Sequence, residues 1–92
     1  MGRVRSMDKQ RAAKIRLKAK TRWRYLRRQV FGVSQATAAR LCGVSRGTVA
    51  RWESPESRML PDVGSILVLC EIRRYDPKAV MGWIAGGADN DG

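Results

Sequence analysis

The chain contains no histidine, and only eight of its 92 residues are acidic. The acidic residues are scattered among predicted helix ends and loops, and no nucleophilic side chain has an evident base beside it. Enzyme active sites need a nucleophile, a general base or a general acid placed close together. The composition therefore predicts a protein that is not an enzyme.

Cysteine is scarce as well, with Cys42 and Cys70 far apart in apolar helical patterns. Two isolated ligands do not make a zinc site, and we expect buried, reduced thiols with no metal or cofactor. No apolar run approaches the ~20 residues of a membrane span. The basic N-terminus lacks the continuous apolar stretch of a secretory signal. We expect a cytoplasmic protein with no membrane partner and no small-molecule ligand.

Positive charge is abundant and unevenly placed, with 19 Lys and Arg and a formal net charge of +11. Residues 1–28 hold twelve basic residues and one acid, whereas residues 29–92 hold seven of each. Such asymmetry favours a polyanionic partner. We divide the chain into a basic arm (1–20), a helical domain (21–87) and a short acidic tail (88–92).

The apolar residues recur at helical spacing, and no strand pattern or repeat is found. Residues 1–7 are predicted to be disordered, and the first helix is predicted up to Phe31 with Gly32 ending it. Its residues 8–20 are either helical or kept unfolded by like charges. The fold class predicted is all-α with five helices. The helices are expected at about 8–31, from 34 or 35 to 42, from 45 or 46 to 53, at 62–74 and at 77–85.

Residues 35–54, QATAARLCGVSRGTVARWES, are the most informative stretch of the chain. They have the pattern of a helix-turn-helix, which places its second helix in the DNA major groove. Gly43 suits a turn that favours positive φ, and Ser45 is a good N-cap for the second helix. The small residue, turn glycine and core anchors of the pattern fall at Ala39, Gly43, Val44, Val49 and Trp52.

The resemblance extends beyond this window. Residues 26–35 and the run Arg51-Trp52-Glu53, followed by a loop and Pro61, resemble the lambda-repressor-like, or Cro/C1 (XRE), DNA-binding family. This resemblance implies a compact five-helix domain that binds double-stranded DNA. The chain departs from the family in its longer loop at 54–60 and in its longer, more basic arm.

The resemblance also implies roles for individual residues. The start of helix three would face base edges, where an arginine can pair with a guanine through two hydrogen bonds. The base contacts expected are Arg46, Gly47, Thr48 and Arg51. The phosphate contacts expected are Ser34, Gln35, Arg40 and Ser45. The arm contacts expected are Arg3, Arg5, Lys9, Arg11, Lys14, Arg16, Lys18, Lys20, Arg22 and Arg24. A dimer surface is expected at Val80, Met81, Trp83 and Ile84, although Trp83 would alternatively close the core of one protomer.

The leading hypothesis is a sequence-specific transcriptional regulator, most simply a small phage or prophage repressor that binds a palindromic operator as a homodimer. An activator and a DNA-binding antitoxin belong to the same class. A small terminase-like packaging subunit and a membrane-active cationic peptide are the alternatives from other classes.

Overall fold

The computed structural model describes residues 6–86 of the chain, and every regular element among them is helical. The five helices are α1 (Ser6–Tyr25), α2 (Gln35–Cys42), α3 (Arg46–Glu53), α4 (Val63–Arg73) and α5 (Pro77–Ile84). The all-α prediction is confirmed. The predictions for the first five residues and for the acidic tail lie outside the described residues.

Helix α1 continues into a π-helical turn, Leu26–Val30, before the chain reverses. The N–H of Phe31 donates to the carbonyl of Leu26, five residues back, at 2.7 Å. Gly32 follows with φ of +67°, a conformation that L-residues with a side chain rarely adopt. The predicted end of the first helix is confirmed, and residues 8–20 are helical.

Helices α2 and α3 pack against each other across a three-residue turn, as the helix-turn-helix pattern predicts. Gly43 adopts φ of +72°, and Val44 donates to the carbonyl of Ala39 at 3.0 Å. This is a Schellman ending, which satisfies carbonyls left open at the end of α2. The hydroxyl of Ser45 then accepts from the N–H of Thr48 and caps α3.

Helices α4 and α5 begin at acidic caps. Asp62 accepts from the N–H of Ser65, and Asp76 accepts from the N–H of Lys78, with Pro77 at the first helical position. Helix α4 ends at Arg74, which adopts the left-handed conformation at φ of +63°. Both helix starts were predicted within one residue.

One apolar core joins all five helices. Trp23 of α1 and Trp52 of α3 meet edge to face at its centre, with ring centroids 5.4 Å apart. Both are buried, as the helix-turn-helix pattern predicted for Trp52. The buried apolar side chains are Trp23, Leu26, Phe31, Val33, Ala38, Ala39, Val49, Trp52, Ile66, Leu69, Cys70 and Val80.

The first half of α1 extends beyond this core. The apolar residues of the first helix recur at helical spacing from Ala12 onward, but Ala12 and Ile15 are exposed, with Ile15 retaining 61% of its surface. Farther along the stripe, Ala19 is half-buried, and Trp23 and Leu26 are buried. Within residues 6–86, no helix is long and apolar enough to cross a membrane.

Candidate nucleic-acid interface

Helix α3 has one buried side and one exposed side. Val49 and Trp52 are buried, whereas Arg46, Gly47 and Arg51 are exposed. The three exposed residues are among the predicted base contacts. Gly47 and Arg51 are four residues apart and so share one side of the helix, and Arg46 directly precedes Gly47 in the first turn. Arg46 and Arg51 are therefore the cations that α3 presents to solvent.

Gly47 lies between these arginines, and the side chain of Arg51 folds back over it. The Nη1 atom of Arg51 is 3.7 Å from the position that a Cβ at residue 47 would take. This conformation brings the guanidinium of Arg51 toward the first turn of α3. Thr48 is half-buried, and its hydroxyl is hydrogen-bonded to the hydroxyl of Ser45 at 2.9 Å.

The predicted phosphate contacts of α2 lie at its N-terminus and on its outer side. Ser34 is exposed and accepts from the N–H of Thr37, so it caps α2. Arg40 is exposed in the last turn. Gln35 is only half-exposed, and its amide nitrogen donates to Glu53 of α3 at 2.9 Å. One of the two amide hydrogens of Gln35 is therefore committed to holding α2 against α3.

Glu53, at the end of α3, is the centre of a buried polar cluster. Its Oε2 accepts from the indole N–H of Trp23 at 2.8 Å and from Nε of Arg27 at 2.5 Å. Its Oε1 accepts from Nη2 of Arg27 at 3.0 Å and from Gln35. The side chains of Arg27 and Glu53 keep only 8% and 6% of their surface exposed. The cluster ties the end of α3 to α1 and α2.

The pKa of Glu53 reflects this environment. Burial by itself raises the pKa of the carboxyl group, but hydrogen bonds from Arg27, Gln35 and Trp23 and the charge of Arg27 together hold it below its ordinary value. Glu53 is therefore ionised at neutral pH, and its charge is compensated inside the protein. Because Glu53 is the one acidic residue of α3, the exposed charge of that helix is entirely positive.

Lys20 does not belong to the solvent-facing arm, and its predicted role as a DNA contact is wrong. It is buried, and its ammonium donates to the carbonyls of Arg51, Trp52 and Met59 at 2.9, 3.2 and 2.6 Å. Burial, and secondarily the charge of Arg16, lower the pKa of Lys20. The ammonium caps the C-terminal end of α3 and holds the 54–60 loop against α1.

The other predicted arm residues have different surroundings. Arg22 is half-buried, and its guanidinium carbon lies 5.8 Å from the ring centroid of Trp83, so it faces α5. Arg16 is half-exposed and lines a cleft with Pro55 and residues 56–58 of the loop. The exposed basic residues of α1 are Lys9, Arg11, Lys14, Lys18 and Arg24. Arg3 and Arg5 lie outside the described residues.

The residues of the predicted dimer surface on α5 pack against the core of their own protomer, and a contact of the half-exposed ones with a second copy stays a prediction. Val80 is 7% exposed and belongs to the core, which excludes it from a surface that a second protomer would cover. Met81, Trp83 and Ile84 are half-buried and pack against the same core. Trp83 also contacts Tyr25 of α1, with ring centroids 5.5 Å apart. Helix α5 therefore closes the core of one protomer, as the alternative reading of Trp83 had it.

Sequence reasoning missed the burial of two charged residues, Lys20 and Arg27. Lys20, Trp23 and Arg27 recur at intervals of three and four, so they share one side of α1. The signal was present in the sequence, but charged residues are rarely buried unless paired. Glu53, which pairs with Arg27, and the carbonyls that accept from Lys20 lie more than 25 residues away.

The described part of the chain contains no cluster of potential metal ligands and no disulfide. No three His, Cys, Asp or Glu side chains of residues 6–86 come together as potential metal ligands. Cys70 is buried and Cys42 half-buried, and neither forms a disulfide. Burial raises the pKa of both thiols.

Comparison of the chain with models of known protein families, with curated proteins and with solved structures finds no match in any of the three.

Proposed function

We propose that the protein binds double-stranded DNA and reads its sequence with the first two turns of α3. The observation that carries the proposal is the outward face of this helix, where Arg46, Gly47 and Arg51 lie exposed beside the half-exposed Thr48. The helix is eight residues long, and its other side is packed into the core through Val49 and Trp52, as in a helix-turn-helix reader.

Charge supports the same proposal. Glu53, the single acidic residue of α3, is paired internally with Arg27, while exposed basic residues lie on α1, α2 and α3. Phosphate contacts from such residues supply affinity that does not depend on sequence, whereas base contacts from α3 would supply discrimination. A regulator is the simplest protein of this kind. It would recognise a palindromic operator with half-sites ~34 Å apart if two copies bind together.

The experiment is selection of bound duplexes from random DNA at a low and a near-physiological salt concentration. We expect an enriched consensus at both. In Arg46→Ala, discrimination should fall by ~1–3 kcal/mol at one or two base pairs, because one bidentate contact is removed. Arg58→Ala, an exposed arginine of the loop, is the matched control and should leave the consensus unchanged.

The proposal fails if the wild-type protein shows no preference among duplexes at near-physiological ionic strength. It also fails if Arg46→Ala and Arg58→Ala change the consensus equally. A large ring of subunits in solution, together with a DNA consensus, would instead favour a packaging role over regulation.

A further inference from the structure

Helix α1 has a basic side that no other helix covers. Lys20 and Trp23 hold the second half of α1 against α3, and Arg22 faces Trp83 of α5. Successive residues of an α-helix are ~100° apart, so Lys14, nine residues before Trp23, lies on the opposite side of α1. We call the exposed residues of this side the outer α1 face, which comprises Arg11, Lys14, Lys18, Thr21 and Tyr25.

The outer α1 face is one continuous row, because its residues follow each other in steps of three and four. At a rise of 1.5 Å per residue, it extends ~21 Å from Arg11 to Tyr25. Its first four residues border one shallow depression of the surface. Its last two border a second depression together with Arg24 and Arg28, which are also exposed. The row is therefore extended by further arginines toward the end of the helix.

No acidic side chain compensates the charge of this face. Within residues 6–86, Arg11, Lys14 and Lys18 form no ion pair and no side-chain hydrogen bond. The one acidic residue of α1, Asp8, lies about a turn before the face begins. Uncompensated charge of one sign on a regular helix attracts a polyanion.

The composition of the face favours a duplex backbone as that polyanion. Arginine, lysine and tyrosine are side chains that bond phosphates. A helix that lies on a membrane needs an apolar side, but the exposed Ile15 and Leu17 are two residues and ~200° apart, so they do not share one. A single strand needs several aromatic rings for stacking, and Tyr25 is the one aromatic residue of the face.

We infer that the outer α1 face binds the phosphate backbone of a second DNA duplex, separate from the duplex on α3. Helix α1 packs against the buried side of α3 through Trp23 and Trp52. A duplex in contact with the exposed Arg46 and Arg51 lies beyond α3, whereas the outer α1 face points away from α3. One protein molecule would thus hold two duplexes. Holding both rests on the proposed reading by α3, whereas the site on α1 does not.

The site on α1 is tested with a short duplex of unrelated sequence at about 50 mM salt, by fluorescence anisotropy. Lys14→Glu/Lys18→Glu should weaken binding by about tenfold or more, because two phosphate contacts are replaced by repulsion. Arg58→Glu/Lys78→Glu reverses two exposed charges elsewhere and is the matched control. It should weaken binding by less than about threefold, because charges far from the duplex are screened.

Capture tests whether two duplexes are held at once. Beads carry a duplex with the selected consensus, and a second, dye-labelled duplex of unrelated sequence is added with the protein. The wild type should retain the dye. Lys14→Glu/Lys18→Glu should stay bound to the beads but retain less than about a tenth of the dye, since only the backbone contacts of α1 are lost.

A wild type that retains no second duplex overturns the inference. So does undiminished retention by Lys14→Glu/Lys18→Glu, which would mean that two copies of α3 hold the two duplexes. Equal weakening by this variant and its control, or wild-type binding to phosphatidylserine-containing vesicles in place of the unrelated duplex, overturns it as well. Absence of a consensus in the selection, with the anisotropy difference intact, would contradict the proposed function of α3 and support the site on α1.

Discussion

At the residue scale, the orientation of α3 depends on charged side chains inside the protein. Glu53 and Arg27 form a nearly buried ion pair, and Lys20 donates to three carbonyls at the end of the same helix. Every buried side-chain nitrogen or oxygen in residues 6–86 has a hydrogen-bond partner. A complete set of bonds rigidifies a polar cluster, whereas removing one member leaves a buried charge alone.

Glu53→Ala should therefore lower the free energy of unfolding by about 3–5 kcal/mol, because Arg27 would remain buried without its counter-charge. Chemical denaturation followed by circular dichroism measures this. Glu56→Ala, an exposed glutamate three residues away, is the control and should change stability by less than about 0.5 kcal/mol. Similar losses in the two variants would contradict the central role of Glu53.

The pH dependence of stability follows from the same group. The folded state holds the pKa of Glu53 below its ordinary value of 4.5, so the unfolded chain binds the proton more readily. The stabilisation is fully present above pH 4.5 and is lost as the pH falls through the lowered pKa of the folded state. In denaturation series across this window, Glu53→Gln should lose stability less steeply than the wild type. Parallel pH profiles for the two proteins would be evidence against this linkage.

Substitution of Gly47 should change the affinity for DNA without lowering the stability of the fold. A methyl group there would meet Nη1 of Arg51 at 3.7 Å and Oγ of Ser45 at 3.8 Å, which are ordinary contacts. Gly47→Ala should therefore leave stability unchanged or raise it by up to about 1 kcal/mol. If the backbone approaches DNA here, affinity should fall about tenfold, equivalent to about 1.4 kcal/mol. Fluorescence anisotropy with the selected duplex measures this.

The matched control for Gly47 is Gly82→Ala, since Gly82 is an exposed helical glycine of α5 with open space around it. It should change neither property beyond the helix-propensity effect. Unaltered DNA affinity in Gly47→Ala would remove this glycine from the proposed interface.

At the scale of elements, the helix ends show which boundaries are strained. Gly32 and Gly43 supply the positive φ that follows the first two helices, but α4 ends on Arg74 at φ of +63°. For a residue with a Cβ, this conformation costs about 1–2 kcal/mol of free energy. The α4 ending is nevertheless regular, because the N–H of Tyr75 donates to the carbonyl of Cys70 at 2.9 Å.

Arg74→Gly should accordingly raise the free energy of unfolding by about 0.5–1 kcal/mol, the relief of strain being partly offset by the greater freedom of glycine in the unfolded chain. Thermal denaturation checks it. Arg73→Gly, one residue earlier and inside α4, should instead destabilise the protein by about 1 kcal/mol. A decrease in both variants would refute the account of this helix end.

At the scale of the whole molecule, the structure has no boundary between a basic arm and a helical domain at residue 20, where the sequence predicted one. Helix α1 crosses residue 20 without a break, and Lys20 belongs structurally to α3 and the loop. Removing residues 1–20 would therefore disturb the fold as well as the charge. A deletion of residues 1–12 avoids this, since residues 8–12 are exposed.

That deletion removes four basic residues: Arg3, Arg5, Lys9 and Arg11. If all four meet phosphates, the slope of log affinity against log salt should flatten by up to about 3.6, while the consensus stays the same. Binding titrations at several salt concentrations measure the slope, and denaturation verifies that the truncated protein is folded. A changed consensus would mean that the N-terminal segment also reads bases.

The sequence alone determined the helices, the helix-turn-helix and its caps, and the burial of Trp23 and Trp52. These features are local, because apolar residues at helical spacing, serine caps and a turn glycine act over a few residues. Only the tertiary structure decided which apolar and charged side chains are buried against other helices of the chain. The inward packing of α5, the exposure of the outer α1 face and the burial of Lys20 and Arg27 follow from how the helices cross. The reason is that burial depends on contacts between residues distant in sequence, which a periodic pattern within one helix does not contain.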